Sequence, residues 1–149
     1  MSVLLIEDDA SLREVLAMNL EDLGFTVDRA PDGAAGLAAY DPARHRVVLT
    51  DMRMPGLDGL AVLDRLRARD PDVVVVMLTA YGGAERALEA MRRGAFHYVE
   101  KPVNIQALVQ TLERAQAHRD GAARERPEAP PMVAASPAMN QVLKVVDRV

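Results

Sequence analysis

The feature that most constrains this chain is the alternation of two hydrophobic periods along its first 119 residues. Short apolar runs rich in Val and Leu stand at residues 3–6, 47–49 and 73–78, with shorter ones at 25–27 and 98–99. Between them, apolar residues fall at helical spacing: Leu12/Val15/Leu16/Leu20/Leu23, Val62/Leu63/Leu66, Ala84/Ala87/Leu88/Met91 and Ile105/Leu108/Val109/Leu112. Residues 32–40 give a weaker helical signal, because Gly33 and Gly36 each lower helix stability. Punctuation supports the division. Ser11 with Glu14 reads as a capping box, Gly24 and Gly94 as helix stops, and Asp58 and Asn104 as N-caps, with Pro71 after the third helix. The run Val73-Val74-Val75-Val76 is apolar on both faces. Such a strand belongs to a parallel sheet covered by helices on each side, so the pattern predicts a doubly wound α/β fold of five βα units. The very apolar first strand is expected at the centre rather than at an edge.

The 149 residues leave room for one ordinary domain and a linker. A formal charge of −4 offers no nucleic-acid surface, and zero cysteines exclude disulfides and thiolate metal sites. The N-terminus lacks the basic start and long apolar core of a signal peptide, and no apolar run approaches bilayer length, so a cytoplasmic protein is expected. Beyond Arg119 the pattern changes. Residues 120–131 (DGAARERPEAPP) carry three prolines and no apolar periodicity, which reads as a linker. Ser136-Pro137 then resembles an N-cap and first helical residue ahead of Met139/Val142/Leu143/Val146. One helix cannot fold alone, so residues 132–149 are expected to open a second domain.

The polar residues that matter all fall at strand ends. Asp8 and Asp9 close the first strand, Asp51 the third, Thr79 the fourth and Lys101 the fifth. In an open parallel sheet those ends meet at the reactive edge. Three converging carboxylates repel one another unless a cation joins them, and a hard ion such as Mg²⁺, which takes a few carboxylates plus phosphate oxygens, is the natural one. One carboxylate can then attack phosphorus as a nucleophile. A lysine ammonium and a threonine hydroxyl suit two phosphoryl oxygens.

On the segments Ile6-Glu7-Asp8-Asp9, the run from Leu49 to Gly59 (LTDMRMPGLDG), Leu78-Thr79-Ala80 and Tyr98-Val99-Glu100-Lys101-Pro102, the chain resembles the receiver domains of two-component response regulators over residues 1–119. The resemblance implies a flavodoxin-like (CheY-like) sheet of order 2-1-3-4-5. It makes Asp51 the phosphoacceptor, Asp8 and Asp9 the acidic Mg²⁺ residues, and the main-chain carbonyl of Arg53 a further metal ligand. Thr79 and Lys101 hold phosphoryl oxygens, Thr79 and Tyr98 act as switch residues, and Arg53 and Tyr81 tune phosphoryl lifetime. It also implies a cis Lys101–Pro102 bond. The segment Met132-Val133-Ala134-Ala135-Ser136-Pro137-Ala138-Met139 resembles the entry to the AAA+ domain of NtrC-type, sigma-54-dependent activators. The partners implied are a sensor histidine kinase, the chain's own AAA+ domain and a second copy in a homodimer. Contacts with DNA and sigma-54 holoenzyme fall to domains beyond this segment, and the domain regulates rather than catalyses turnover.

Taken singly, each residue has a plainer reading. Asp8 and Asp9 would be acids favoured by a helix dipole, Asp51 a turn residue, Thr79 a cap, and Tyr98 ordinary packing. His45, His97 and His118 are scattered and read as solvated or structural, and Arg65/Arg67/Arg69 as a solvated helix face. An aspartate-based phosphohydrolase would need a second acid where Arg53 stands. A flavin carrier would need a hydroxyl- and glycine-rich phosphate loop where Glu7-Asp8-Asp9 stands. The remaining alternative is a receiver-like interaction module that is never phosphorylated; phosphorylation that depends on Asp51 separates the two.

Overall fold

A computed structural model of the chain describes residues 1–80 and 83–125. Tyr81, the second part of the expected linker and residues 132–149 lie outside the described residues.

Ten elements alternate: β1 (Ser2–Ile6), α1 (Ala10–Asp22), β2 (Thr26–Ala30), α2 (Gly33–Ala39), β3 (Val47–Asp51), α3 (Gly59–Arg69), β4 (Val75–Thr79), α4 (Ala84–Arg92), β5 (His97–Glu100) and α5 (Ile105–Glu125). All strand pairs are parallel, in the order β2-β1-β3-β4-β5. The strand order and the central β1 are as the sequence implied. Alternate residues of the strands feed two cores. Leu4, Ile6, Val48, Val75 and Met77 pack under α3 and α4 through Val62, Leu63, Leu66 and Ala90. Val3, Leu5, Leu49, Val76 and Leu78 pack under α1 and α5 through Leu16, Ala17, Leu20, Leu108, Leu112 and Ala115. Fully burying a Leu or Val side chain stabilises by about 1.5–3 kcal/mol, which is why β1, β3 and β4 define the domain.

Several local expectations change. Asp9, not Ser11, is the N-cap of α1: its Oδ1 accepts the Leu12 N–H at 3.1 Å. The inward stripe of α1 also shifts, since Ala17 is 0 % exposed while Val15 and Leu23 are 55 % and 58 % exposed. A small residue close to the sheet outranks larger ones that a periodicity count favours. Weak α2 forms because its glycines are required: a Cβ at Gly36 would overlap the side chain of Ile6. Asp32 caps that helix through the Ala35 N–H at 2.8 Å. Asp58 and Asn104 cap α3 and α5 as expected, and Gly24 and Gly94 end helices at positive φ.

The expected linker begins as helix, since α5 continues from Arg119 to Glu125. Ala122, Ala123, Arg124 and Glu125 are good helix formers, and Gly121 alone opposes them. Nor are the arginines of α3 simply solvated: Arg69 donates to the Leu37 carbonyl at 2.6 Å and its guanidinium lies over the Tyr40 ring. No helix among the described residues is long and apolar enough to cross a membrane.

Candidate functional site at the carboxyl ends of the strands

Parallel strands deliver their last residues to one edge, and the loops that follow hold the polar groups there. Asp51 is the last residue of β3 and is buried. It stays in place because Met52 N–H bonds the Leu78 carbonyl at 2.9 Å and Gly59 N–H bonds the Met52 carbonyl at 2.9 Å. Thr79 ends β4, and its carbonyl accepts the Lys101 N–H at 2.7 Å, tying the start of the β5–α5 loop to β4. The Lys101–Pro102 bond is cis.

From that anchor the Lys101 ammonium reaches two carboxylates, lying 3.2 Å from Asp51 Oδ1 and 3.2 Å from Glu7 Oε1. Glu7 follows β1 directly and is fully buried. Its Oε2 accepts the Asp9 N–H at 3.1 Å, and its carbonyl accepts from Arg13 Nη1 at 2.9 Å. Burial pushes the Glu7 carboxyl up to about 7, and the Asp51 charge pushes the same way; the Asp9 N–H and the Lys101 ammonium oppose them. Burial also works against the charge on Lys101, yet Asp51 and Glu7 together hold its ammonium above the ordinary lysine range. Asp8 is exposed, and one oxygen each from Glu7, Asp8 and Asp51 lie within 4.8 Å of one another.

Thr79 is 1 % exposed, and no group among the described residues hydrogen-bonds its Oγ1. A buried hydroxyl without a partner costs about 1–3 kcal/mol, so its position favours an acceptor arriving in the cleft. That cleft, about 320 Å³, is lined by Asp51, Met52, Arg53, Thr79, Ala80, Gly83, Arg86 and Lys101. The Asp51 carboxylate, the Thr79 hydroxyl and the Lys101 ammonium therefore share one opening beside an acidic cluster.

Asp8, Asp51, Arg53, Thr79 and Lys101 thus come to one edge. Asp9 does not join the acids. Its carboxylate is committed to capping α1, and Glu7 takes the place assigned to it. The signal was available: an N-cap at Asp9 satisfies the first turn of α1 and leaves Glu7 and Asp8 as the pair facing the site. Tyr98 on β5 packs against the core beneath α3 and α4, edge-on to His97 at 5.5 Å between ring centres, and does not line the cleft. Arg86, which does line it, carries no sequence motif.

Comparison with known proteins gives a consistent picture. The family described as the response regulator receiver domain matches residues 3–113. Among curated proteins, the C4-dicarboxylate transport transcriptional regulatory protein DctD of Rhizobium meliloti is 37 % identical over 118 residues, covering 79 % of this chain and 26 % of that protein. The DNA-binding transcriptional regulator NtrC of Salmonella typhimurium is 34 % identical over 151 residues, covering 98 % of this chain and 32 % of that protein. Among solved structures, the receiver domain of NtrX from Brucella abortus superposes with a TM-score of 0.73 at 36 % identity, over 77 % of this chain and 98 % of that one. The chain spans about a third or less of the length of these curated relatives.

Proposed function

Since the chain belongs to the response regulator receiver domain family, we propose that it accepts a phosphoryl group on Asp51 from a sensor histidine kinase and thereby switches a neighbouring domain. The observation that carries this reading is the meeting of Glu7, Asp8 and Asp51 within 4.8 Å, with the Lys101 ammonium 3.2 Å from Asp51.

The donor set suits Mg²⁺. Three carboxylates sharing so small a volume repel one another, and an oxygen-preferring divalent ion relieves that repulsion. Asp8 and Asp51 would hold the ion, with Glu7 behind them and the main-chain carbonyl of Arg53 completing the protein's share. Bound there, Mg²⁺ neutralises charge on the phosphoryl oxygens. The chain's own residues do the rest. An Asp51 carboxylate oxygen attacks phosphorus and the bond to the donor breaks. Lys101 turns from the carboxylate to a phosphoryl oxygen, and the Thr79 hydroxyl donates to another. Thr79 then moves toward the phosphoryl group and Tyr98 turns inward, which reshapes the face formed by α4, β5 and α5. Arg53 and Tyr81 set how long the phosphoryl group lasts.

Residues 1–119 form the receiver, and the residues from 132 onward begin an AAA+ ATPase of the NtrC type. In the whole protein that ATPase and further domains meet sigma-54 holoenzyme and DNA, while this segment binds neither nucleic acid nor membrane. It acts in the cytoplasm, as a homodimer, and as a regulator. With Mg²⁺ and acetyl phosphate, intact mass is expected to rise by one phosphoryl group in the wild type and not in Asp51→Asn. An unmodified wild type, or modification that survives the substitution, overturns the reading in favour of a non-phosphorylated interaction module.

A further inference from the structure

Arg86 stands in the first turn of α4, lines the cleft beside Asp51, Thr79 and Lys101, and is 38 % exposed in its side chain. The helix dipole disfavours a cation there by about 0.3–1 kcal/mol, so the position is not explained by helix stability. Two further features point the same way. α4 has no side-chain N-cap hydrogen bond, and Gly83 at its start lines the wall of the cleft. A Cβ at Gly83 would stand 3.0 Å from the Ala80 carbonyl oxygen and 3.5 Å from Thr79 Cβ, so glycine lets the helix start close to the end of β4.

The partner of Arg86 is Asp58, and it is only half available. Asp58 Oδ1 accepts the Ala61 N–H at 2.9 Å as the cap of α3, while Oδ2 takes Arg86 Nη2 at 3.0 Å. Among the described residues nothing accepts from the buried Nε–H of Arg86. A guanidinium has five donors in a planar fork, so this contact leaves donors for an anion entering the cleft. Of the charged residues lining the cleft, Arg53, Arg86 and Lys101 are cations and Asp51 is the anion.

We propose that Arg86, restrained by Asp58, is a specificity-determining residue that favours phosphodonors whose leaving group departs as an anion. This rests on the reading of Asp51 as the phosphoacceptor. With an acyl phosphate, an Asp51 oxygen bonds to phosphorus, the P–O bond to the acyl oxygen breaks, and the electron pair leaves on a carboxylate. Arg86 stabilises that carboxylate as it forms. With phosphoramidate the P–N bond breaks and neutral ammonia leaves, its three protons already on nitrogen, so Arg86 has no developing anion to hold. Asp58 weakens the cation by sharing it.

The test follows the rate of mass gain with each donor, at fixed Mg²⁺ and fixed ionic strength, for five proteins. Arg86→Ala and Arg86→Gln are expected to slow phosphorylation by acetyl phosphate about fivefold and by phosphoramidate less than about twofold, the scale of one charge-assisted contact. Asp58→Asn keeps an N-cap oxygen for α3 and frees the guanidinium, so it is expected to speed the acetyl phosphate reaction about twofold. In the double variant Asp58→Asn/Arg86→Ala that gain is expected to vanish. Equal slowing with both donors, or Asp58→Asn slowing the reaction as Arg86→Ala does, overturns the proposal; the second result is what a plain α3–α4 tether gives. Arg86→Gln keeps the side-chain stem and guards against a packing artefact. A wild type that takes no phosphoryl group from either donor sinks the reading of Asp51 itself, which is a separate outcome.

Discussion

The two ends of the sheet treat charge in opposite ways. At the carboxyl ends of the strands, Glu7, Asp8 and Asp51 crowd together, with Lys101 paired to two of them and the Thr79 hydroxyl without a partner among the described residues. At the amino ends, charges are matched. Arg119 donates to Asp70 at 3.1 Å and to the carbonyls of Asp72 and Pro42, and the Tyr40 hydroxyl donates to Asp70 at 2.7 Å. Nearby, His45 is buried with Nε2 2.7 Å from Asp28 Oδ2 and Nδ1 accepting the Asp41 N–H at 3.0 Å. A nitrogen that accepts leaves the proton on its neighbour, so Nε2 donates to Asp28. The second end is built to be stable, the first to accept something.

That contrast can be broken or sharpened by stability measurements. The largest effect is expected at the base: Arg119→Ala leaves the half-buried Asp70 without its cation and should cost about 2 kcal/mol in denaturant unfolding. A loss below about 0.5 kcal/mol would show that the network is incidental. Asp70→Asn comes next and carries a pH signature. Burial tends to raise the Asp70 carboxyl, but the Tyr40 hydroxyl, the Asp72 N–H and Arg119 hold it below the usual carboxylate range. A lowered folded-state value gives stability that is complete above about pH 4, the unfolded value, and is lost as pH falls through the folded one. The Asn variant should therefore lose stability at neutral pH and converge on the wild type in acid. Smallest is Thr79→Val at the other end, which removes a hydroxyl that has no partner among the described residues and should leave stability unchanged or raise it by about 1 kcal/mol. Its phosphorylated form should nonetheless fail to show the wild type's altered chemical shifts in α4. A large loss of stability in Thr79→Val would contradict the comparison directly.

Much of this was legible in the sequence, and the reasons are specific. Strands such as Val75–Thr79 announce themselves because both faces are buried, and reactive residues at strand ends follow from the parallel arrangement. The cap of α1 escapes the sequence pattern because Asp9 serves a local role that resembles a ligand's, and the choice between Glu7 and Asp9 depends on where the helix starts. Periodicity places Val15 and Leu23 in the core because it counts size, whereas Ala17 meets the sheet. The pairing of Asp28 with His45, of Asp70 with Arg119 and of Asp58 with Arg86 joins residues far apart in the chain. No spacing rule reports such contacts; only the folded arrangement does.

β4 is five residues long, so about 16 Å of strand separates the two ends. Over that span, at an effective dielectric near 20, a unit charge is felt by about 1 kcal/mol, and dissolved salt reduces it further. Even the two charges of a phosphoryl dianion on one rim would amount to about 2 kcal/mol before salt screening, and after it too little to unseat the guanidinium at the opposite rim. News of such an event can cross the domain only as a push, handed from one close-packed side chain to the next.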